Sequence, residues 1–487
     1  MKAAFAVVAA ALVFRLILAG GTGLGIDESY MVAASHVFAP SYFDHPLASW
    51  WLELAARALT GSADPLVVRL PFVLLSAISS WLVWAITARL YGARAAFWAV
   101  VAYSLSPVFS LAAGCWVLPD GPLDAALLAF LYALIRALGL PDGKVEPRWW
   151  LGVGIFAGLA LLSKYNAALV FAGAAAGVLL DPASRRELRR FGPWGAGLLA
   201  AVLFAPVLWW NAQHGWVSFH YQGGRATGLR LRPAMPLTIL GGEALFVLPW
   251  LWLPMVLLLI RGFWRGPTER RGWLLAWAAV VPVVLFAAVG LWSSTRILYH
   301  WAAPGYLMLF PVLGDWAARL RPWLRNAVAW ITAALLGSAV LFITAEIRLG
   351  FIPAFNHAFS PGQSPLLQAV DWDSVAQQIP PGVDAVAGQR WFDAGKIGYA
   401  LRGTPVVVTV FGPEPHQFGF STPVSALLGK NVLILAMPGN VIDTYTKYAP
   451  DFRILKPGPA LTVMHGHDVL LVIPSFIGTD MLSVPAP

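Results

Sequence analysis

The sequence predicts a polytopic α-helical membrane protein that ends in a small α/β domain. Hydrophobic residues make up 59% of the 487 residues and charged residues only 12%, whereas a soluble domain carries about 25% charged residues. Long apolar runs fill residues 1–345 and stop there. These observations exclude an ordinary soluble protein. The net charge of +9 is expected to come from basic cytoplasmic loops, not from nucleic-acid binding.

A helix that crosses a bilayer needs about 20 mostly apolar residues, and the sequence contains about eleven such runs. We predict spans near residues 3–20, 66–88, 95–113, 121–138, 149–163, 167–180, 193–210, 237–260, 273–291, 302–318 and 326–345. The fifth and sixth runs are short and are predicted to form a tight hairpin. The first run lacks a cleavage site of small residues, so we expect a retained first span.

Loop charges predict the orientation. With the N-terminus inside, the inner loops hold 17 Lys and Arg residues and the outer loops hold 7, which is the positive-inside bias of membrane proteins. The inner set is Lys2, Arg89, Arg94, Arg136, Lys144, Arg148, Arg185, Arg186, Arg189, Arg190, Arg261, Arg265, Arg270, Arg271, Arg319, Arg321 and Arg325. The first loop, about residues 21–65, and the C-terminal segment are therefore predicted to lie outside.

The first outer loop is predicted to carry two helices that lie on the membrane surface. Met31–Phe38 and Leu47–Leu59 have helical apolar spacing with polar interruptions, which is typical of interfacial helices. Pro46 and Pro65 interrupt the pattern.

Residues 346–487 are predicted to form a periplasmic α/β domain. Short apolar segments bounded by turn residues predict strands at Val383–Ala387, Pro405–Val410, Asn431–Ala436 and Asp468–Ile473. Helices are predicted at Trp372–Gln378 and Ala394–Leu401. Alternating strands and helices favour an α/β architecture.

Asp27 and Glu28 are the first candidate site residues, because they follow the first span directly. Carboxylates next to hydrocarbon are rare unless they have a function. A carboxylate beside an apolar wall has an adjustable pKa, which suits proton abstraction from a sugar acceptor. The alternative is a solvated loop, or an N-cap for a helix that begins near Ser29.

Two more acidic segments are candidates. Asp44 and His45 could have a catalytic or metal-binding role, or could simply precede a surface helix that starts at Pro46. Asp120 and Asp124 lie one helical turn apart at the start of the fourth span and can share a face. Helix capping is the alternative for Asp120.

Basic and aromatic residues of the outer loops could bind a phosphate. Lys164 offers a point charge and Tyr165 a hydroxyl, although a lysine here could also only extend to the membrane interface. Arg296 and His300 form a similar cluster, and Arg15 of the first span is expected to reach the loop or to pair with a carboxylate. The loop at 211–236 suits a phosphate-bearing lipid, an anionic saccharide or interfacial anchoring through Asn211, His214, Trp216, His220, Tyr221, Arg225, Arg230 and Arg232.

Cofactor motifs are weak. The sequence has no HExxH or CxxC metal motif, no P-loop and no GxGxxG after a strand, so we expect no soluble nucleotide site. The sequence leaves open whether a divalent cation such as Mg²⁺ or Ca²⁺ is bound. Its ligands could come from Asp27, Glu28, Asp44, His45 and His300. The single Cys115 excludes an internal disulfide.

Six stretches, in this order, resemble the family-39-type bacterial glycosyltransferases of the C-type membrane superfamily. Relatives in that family include the protein O-mannosyltransferases and the lipid A aminoarabinose and galacturonosyl transferases. The stretches are Asp27–Tyr30, Tyr42–Pro46, Val68–Pro71, Leu118–Pro122, Leu162–Tyr165 and Trp210–Trp216. The resemblance covers about residues 1–345.

The resemblance implies the C-type glycosyltransferase fold in the inner membrane and a polyprenyl-phosphate sugar donor used on the periplasmic face. The sugar would pass, with inversion, to an envelope acceptor: lipid A or lipopolysaccharide, another glycolipid or glycan, or a protein. Asp27 would be catalytic with Glu28 as its partner, and Lys164, Tyr165 and Arg296 would hold the donor phosphate. Further candidates for substrate binding, from their positions in the outer loops and at span ends, are Tyr30, Asp44, His45, Asp120, Asn211, His214 and His300.

Two departures from the family pattern leave the acceptor open. His300 stands where relatives more often carry Asn-Trp, and the C-terminal segment has no family signature. A flippase for a lipid-linked saccharide is one alternative, but it should carry charges along a mid-membrane path, whereas here they concentrate at one face. A binding or assembly protein acting through the outer domain is another.

Overall fold

The computed structural model describes residues 2–224, 227–228, 230–352, 359, 364–436 and 441–486. In chain order, its α-helices are α1 Lys2–Gly21, α2 Ile26–Ala34, α3 Ala48–Thr60, α4 Pro65–Tyr91, α5 Ala93–Leu105, α6 Ala113–Cys115, α7 Asp120–Ala137, α8 Trp149–Leu161, α9 Ala167–Leu180, α10 Phe191–Gln213, α11 Val217–Gly224, α12 Met235–Val247, α13 Pro249–Arg265, α14 Arg270–Val289, α15 Ala303–Leu307, α16 Phe310–Arg319, α17 Pro322–Leu349, α18 Leu366–Ala369, α19 Asp373–Ala376, α20 Trp391–Ala400, α21 Phe418–Ser421 and α22 Val441–Tyr448. The strands are β1 Ala385–Gly388, β2 Val407–Val410, β3 Val432–Leu435, β4 Phe452–Pro457, β5 Leu461–His465, β6 Asp468–Ile473 and β7 Ser475–Met481.

The chain forms two compact units. Unit 1 consists of Met1–Leu16, Ala39–Ser49 and Leu70–Gly337. Unit 2 consists of Ile17–Phe38, Trp50–Arg69 and Ser338–Pro487. Packing therefore groups parts of the first loop with the C-terminal segment. The division by chain position into residues 1–345 and 346–487 stays a prediction.

Unit 1 is a helical bundle around α7, which is buried along nearly its whole length. In this bundle α8 packs between α7 and α10, α5 packs on α16, and α9 packs on α14. Small residues permit these close approaches, as is usual between membrane helices. A Cβ atom added at Gly173 of α9 would lie 2.0 Å from the carbonyl oxygen of Trp277 in α14.

Fewer helices pass a length and hydropathy test for membrane spans than the eleven runs that the sequence predicts. Among the described residues, the helices long and apolar enough to cross a bilayer are α1, α4, α10, α14 and α17. Two bent pairs raise the number to as many as seven: one pair is bent by 80° after Leu105, and the other by 116° between α12 and α13. The chain is thus a multi-pass membrane protein, but about eleven spans are not confirmed.

The predicted spans that do not pass this test have local features that explain why. Helices α8 and α9 are only 13 and 14 residues long. Helix α7 carries Asp120, Asp124 and Arg136 within 18 residues. The run predicted at 302–318 contains two short helices, α15 and α16, with a break between Leu307 and Phe310.

Unit 2 contains a five-stranded sheet in the order β2-β1-β3-β7-β4. Strand β1 is parallel to β2 and β3, with Ala385 opposite Val407 and Val432, whereas β7 is antiparallel to β3 and β4. All residues of β1 and β3 are buried, as is usual for parallel strands covered on both faces. Strands β5 and β6 form a separate antiparallel hairpin.

Most predicted elements of the C-terminal segment are present, and others were missed. Strands occur at the four predicted places, although Asp468–Ile473 belongs to the hairpin and not to the main sheet. The sequence did not predict β4, β5 or β7. In the first loop, α3 agrees with its prediction, whereas the helix expected at Met31–Phe38 instead covers Ile26–Ala34.

Candidate active site

Asp27 and Glu28 lie in the first turn of α2, where a negative charge is stabilised by the positive end of the helix dipole. The N-cap is Gly25, so the interpretation of Asp27 as an N-cap is wrong. The two neighbours have opposite environments, because Asp27 is exposed and Glu28 is buried. The first turn of α2 thus carries one carboxylate that is accessible to solvent, Asp27, and one that is buried, Glu28.

Arg69 holds Glu28 through a bidentate ion pair. The Arg69 Nε and Nη2 atoms donate to the Glu28 carboxylate at 2.8 and 2.6 Å, and the Gly25 amide donates to the same carboxylate at 2.8 Å. Both side chains are buried. Planar, two-point pairing of this kind fixes orientation as well as charge. The contacts favour a positioning role for Glu28 over proton transfer.

Arg69 also binds the turn that leads into α2. Its Nη1 donates to the carbonyl oxygens of Ala19 and Thr22 at 3.0 and 2.9 Å, and its Nη2 donates to that of Gly23 at 2.7 Å. Arg69 belongs to one of the family motifs in the sequence but is not among the predicted site residues. The signal that could have found it is an arginine close behind an acidic loop in a membrane protein.

Lys396 and Asp371 of the C-terminal segment hold the same turn. The Asp371 carboxylate accepts from the Leu24 amide at 3.0 Å, while the Lys396 ammonium donates to the carbonyl oxygens of Leu24 and Val370. Burial lowers the pKa of Lys396 to about 8. A Cβ atom at Gly23 would lie 2.6 Å from the Asp371 amide, so only glycine permits this approach.

Tyr30 is enclosed by aromatic side chains. Its ring centroid lies 5.0 Å from that of Trp391 and 5.7 Å from that of Trp50, and its hydroxyl accepts from the Gln417 amide at 2.8 Å. Only 4% of Tyr30 is exposed. These contacts favour a packing role in unit 2 over the predicted contact with substrate.

Glu53 is a buried acid that is not among the predicted site residues. Its carboxylate accepts from the Arg57 Nε at 2.9 Å and from the Ser35 hydroxyl. Burial raises the pKa of Glu53 to about 7, against the opposing effects of Arg57 and Ser35. The i, i+4 spacing to Arg57 on α3 was the available signal.

In unit 1, Asp120 and Lys164 form a buried ion pair. The Lys164 Nζ lies 2.9 and 3.0 Å from the two carboxylate oxygens of Asp120, which begins α7 and uses its side chain for this pair and not as a cap. His45 and His300 are near enough to interact electrostatically with Asp120. The structure therefore brings together four predicted site residues.

Asp124 lies one turn deeper in α7 and is also buried. Its Oδ2 atom has no hydrogen-bond partner among the residues that the structure describes. Arg15 is buried as well and donates from its Nε to the Ser110 carbonyl oxygen at 2.9 Å. It is not exposed, and it has no ion pair within the described ranges, so neither predicted role for Arg15 is observed.

Polar side chains of Ser41, Asn211 and Ser218 lie near Tyr165, but its buried hydroxyl makes no hydrogen bond within the described part of the chain. The Ser218 amide donates to the Asn211 side chain at 3.2 Å, and the Ser218 hydroxyl donates to the Tyr42 carbonyl oxygen at 3.1 Å. The first-loop segment thereby contacts the loop after α10, and Tyr165 and Asn211 lie at this contact.

The same contact positions Asp44. The Gln222 side chain donates to the Asp44 carbonyl oxygen at 2.7 Å, and the Asp44 carboxylate interacts electrostatically with Tyr165. Asp44 and Tyr165 thus belong to the same part of unit 1, as the prediction of a shared site requires.

The remaining predicted residues differ in their surroundings. The His214 ring stacks on Trp210 with centroids 4.0 Å apart, which is a packing contact. Arg296 is exposed and has no ion pair within the described part of the chain. Arg225 lies outside the described residues. Within them, no group of three or more His, Cys, Asp or Glu residues is arranged to hold a metal ion.

Chemically, unit 2 presents an exposed carboxylate on a rigidly held helix, and unit 1 presents a buried ammonium with a second carboxylate. An ammonium has three donors, and two are directed at Asp120. No acceptor for the third is recorded within the described ranges.

Comparison with known proteins identifies similar sequences. Residues 44–210 match the family model described as dolichyl-phosphate-mannose-protein mannosyltransferase. Lipid A galacturonosyltransferase RgtD from Rhizobium johnstonii is 26% identical over 297 residues, which are 59% of this chain and 59% of that protein. Undecaprenyl phosphate-alpha-4-amino-4-deoxy-L-arabinose arabinosyl transferase 1 from Proteus mirabilis is 25% identical over 43% of this chain and 39% of that protein. The matches thus span less than two thirds of either relative.

Solved structures extend the likeness to nearly the whole chain. ArnT from Cupriavidus metallidurans in the apo state matches with a TM-score of 0.64 and 16% identity, over 99% of this chain and 98% of ArnT. The same enzyme bound to undecaprenyl phosphate matches with a TM-score of 0.64 and 18% identity, over 99% of both chains. At this identity the likeness shows the fold alone, and it confirms the predicted fold of a membrane glycosyltransferase.

Proposed function

We propose that this chain, as a relative of the family-39-type membrane glycosyltransferases, transfers a sugar from a polyprenyl-phosphate donor to a glycolipid acceptor on the periplasmic face. Two relatives are named for such chemistry, one for lipid A and one for undecaprenyl phosphate. The ArnT structure that shares the fold was determined with undecaprenyl phosphate bound. A lipid A or lipopolysaccharide acceptor is therefore favoured over a protein, and a flippase has no such support.

The observation that carries the proposal is the unequal pair at the start of α2. Asp27 is exposed, while its neighbour Glu28 is fixed by Arg69. A catalytic group needs an orientation set by its neighbours and access to substrate. The buried pair supplies the orientation, and the exposed carboxylate supplies the access.

The proposed reaction is an inverting displacement. The acceptor hydroxyl oxygen bonds to the anomeric carbon of the donor sugar, and its proton passes to the Asp27 carboxylate. The bond from the anomeric carbon to the phosphate oxygen breaks, and polyprenyl phosphate leaves with the electron pair. In unit 1, Lys164 is the residue that we propose to bind a donor phosphate, because its buried ammonium is a compact point charge.

The nature of the acceptor decides what Asp27 does. A hydroxyl acceptor needs a base, and Asp27 supplies it. A phosphate acceptor is already ionised at neutral pH, so Asp27 would then orient the acceptor and take no proton.

An Asp27→Asn variant tests the function. We expect transfer from a polyprenyl-phosphate sugar in membranes to fall by about 10²–10⁴-fold, the usual contribution of a general base, while donor binding is kept. Mass spectrometry of membrane lipids and envelope glycans, with and without the protein, identifies the product. Asp64→Asn is the matched control, because Asp64 is an exposed acid of the same loop.

Full transfer activity in Asp27→Asn would exclude Asp27 as the catalytic group. Movement of an unaltered lipid-linked saccharide across the membrane, without any transfer product from the native protein, would support the flippase.

A further inference from the structure

A second polar site lies in unit 1, at the end opposite to the Asp120–Lys164 pair. Helix α7 begins at Asp120 and ends near Leu138, about 27 Å away at 1.5 Å per residue. The Leu138 carbonyl oxygen accepts from Arg270 at the start of α14. The charge bias assigns this end to the cytoplasm. Here a pocket of about 180 Å³ opens between the ends of α4, α13, α14 and α16.

Four arginines from three helices line this pocket: Arg261 and Arg265 of α13, Arg271 of α14 and Arg319 of α16. Glu269 and Asp315 are the acids that line it, so the formal balance of the lining is four positive against two negative charges, or +2. The positive-inside bias explains why arginines occur at this end. It does not explain why four of them converge on one cavity.

The two acids are already paired. Arg319 makes a two-point contact with Asp315, at 2.9 Å from Nη2 to each carboxylate oxygen. Arg271 lies 3.8 Å from Glu269. Arg261 and Arg265 have no ion pair or side-chain hydrogen bond within the described ranges. Since they are spaced i, i+4, they share one face of α13, and their charge is what the lining leaves unbalanced.

A buried hydroxyl adds a specific donor to the pocket. The Tyr91 hydroxyl is buried and has no hydrogen-bond partner among the described residues, although Tyr91 lines the pocket. The Arg271 guanidinium lies 5.0 Å from the centre of the Tyr91 ring and keeps the ring in place. Buried hydroxyl groups are usually hydrogen-bonded, and a ligand with an acceptor oxygen in this pocket would satisfy this one.

We propose that this pocket binds a phosphate group, which Arg261 and Arg265 hold by their guanidinium forks and Tyr91 by its hydroxyl. Guanidinium groups match the geometry of phosphate oxygens at two points. The volume lies below the roughly 300–1,000 Å³ of pockets for drug-sized ligands, which suits a headgroup-sized anion. Trp264, which is 90% exposed beside Arg265, is typical of the membrane interface and favours the phosphate of an anionic lipid over free phosphate.

Binding of short-chain phosphatidic acid to the purified full chain in detergent tests the site. We expect Arg261→Gln with Arg265→Gln to weaken this binding at least tenfold, and Tyr91→Phe to weaken it several-fold. The matched control is Arg185→Gln with Arg186→Gln, which removes two exposed arginines from the same predicted membrane face. Inorganic phosphate is the second probe. Competition by phosphate at a concentration similar to that of the lipid supports a soluble ligand, and weak competition supports a lipid headgroup.

Two results would overturn the proposal. One is unchanged binding in the Arg261→Gln, Arg265→Gln protein. The other is an equal loss in the Arg185→Gln, Arg186→Gln control, since it would show a diffuse charge effect. If the glutamine variant does not fold, the variant Arg261→Lys with Arg265→Lys replaces it in the binding assay. It keeps both positive charges but removes the two-point contacts of the guanidinium groups. Loss of binding then supports the site and full binding contradicts it. The assay does not depend on sugar transfer, so this site and the proposed function can fail separately.

Discussion

Lys164 shows how one residue can serve both stability and donor binding. Its ammonium is buried against Asp120, so Lys164→Ala leaves a buried carboxylate without its partner. We expect donor affinity to fall about tenfold or more, equivalent to about 1.4 kcal/mol, together with a lower melting temperature. Titration of the purified protein with polyprenyl phosphate measures the affinity.

A double variant separates the two effects. Asp120→Asn in the Lys164→Ala background removes the unpaired charge, so stability should recover while donor affinity stays low. Recovery of both would show that Lys164 acts only on the fold.

We expect the free energy of unfolding to depend on pH through Glu53. The pKa of Glu53 is raised from 4.5 to about 7 by burial, so the folded chain holds the proton between these values while the unfolded chain has lost it. The contribution of Glu53 to stability therefore falls as pH rises from 4.5 to 7, by about 3 kcal/mol. Glu53→Gln should flatten this part of the stability profile, as measured by denaturant unfolding at pH 5 and pH 7.5. Glu414→Gln, at an exposed acid, should keep the slope of the native protein.

At the scale of elements, the start of α2 is held by the C-terminal segment as well as by α4. Lys396 on α20 donates to the Leu24 carbonyl oxygen in the turn before Asp27. Lys396→Met keeps the length of the side chain but removes this donor, so the turn should loosen. Because small displacements at a reacting centre cost up to about 10²-fold, we expect kcat for transfer to fall ten- to a hundred-fold, with donor KM unchanged.

Lys430→Met is the control for this variant, since Lys430 is an exposed lysine of the same unit. A Lys396→Met protein with the native kcat would show that the turn is held without this lysine. A change in KM alone would show that the lysine acts on donor binding instead.

At the scale of the whole molecule, orientation in the membrane is the testable prediction. The bias of inner over outer basic residues predicts that the loop after α7 is cytoplasmic and the first loop periplasmic. In a Cys115→Ala background, an impermeant maleimide should label Asp64→Cys in intact spheroplasts. Asp142→Cys should be labelled only after permeabilisation. Both positions are exposed, so a reversed pattern would place the candidate site in the cytoplasm.

The sequence by itself determined the membrane class, the relation to glycosyltransferases and several strands of the C-terminal segment. These follow from composition, short periodic patterns and motif order, which are properties of neighbouring residues. The number of spans stays a prediction, because α8 and α9 are as apolar as spans but only 13 and 14 residues long.

Only the tertiary structure decided which polar groups meet. Glu28 pairs with Arg69 over a separation of 41 residues, Asp120 with Lys164 over 44, and Lys396 reaches Leu24 over 372. Local patterns do not encode such distances. The physical reason is that a buried charge needs a partner, and packing of the folded chain decides which residue is near enough to be one. Glu28 is therefore held by Arg69, while Asp27 stays exposed.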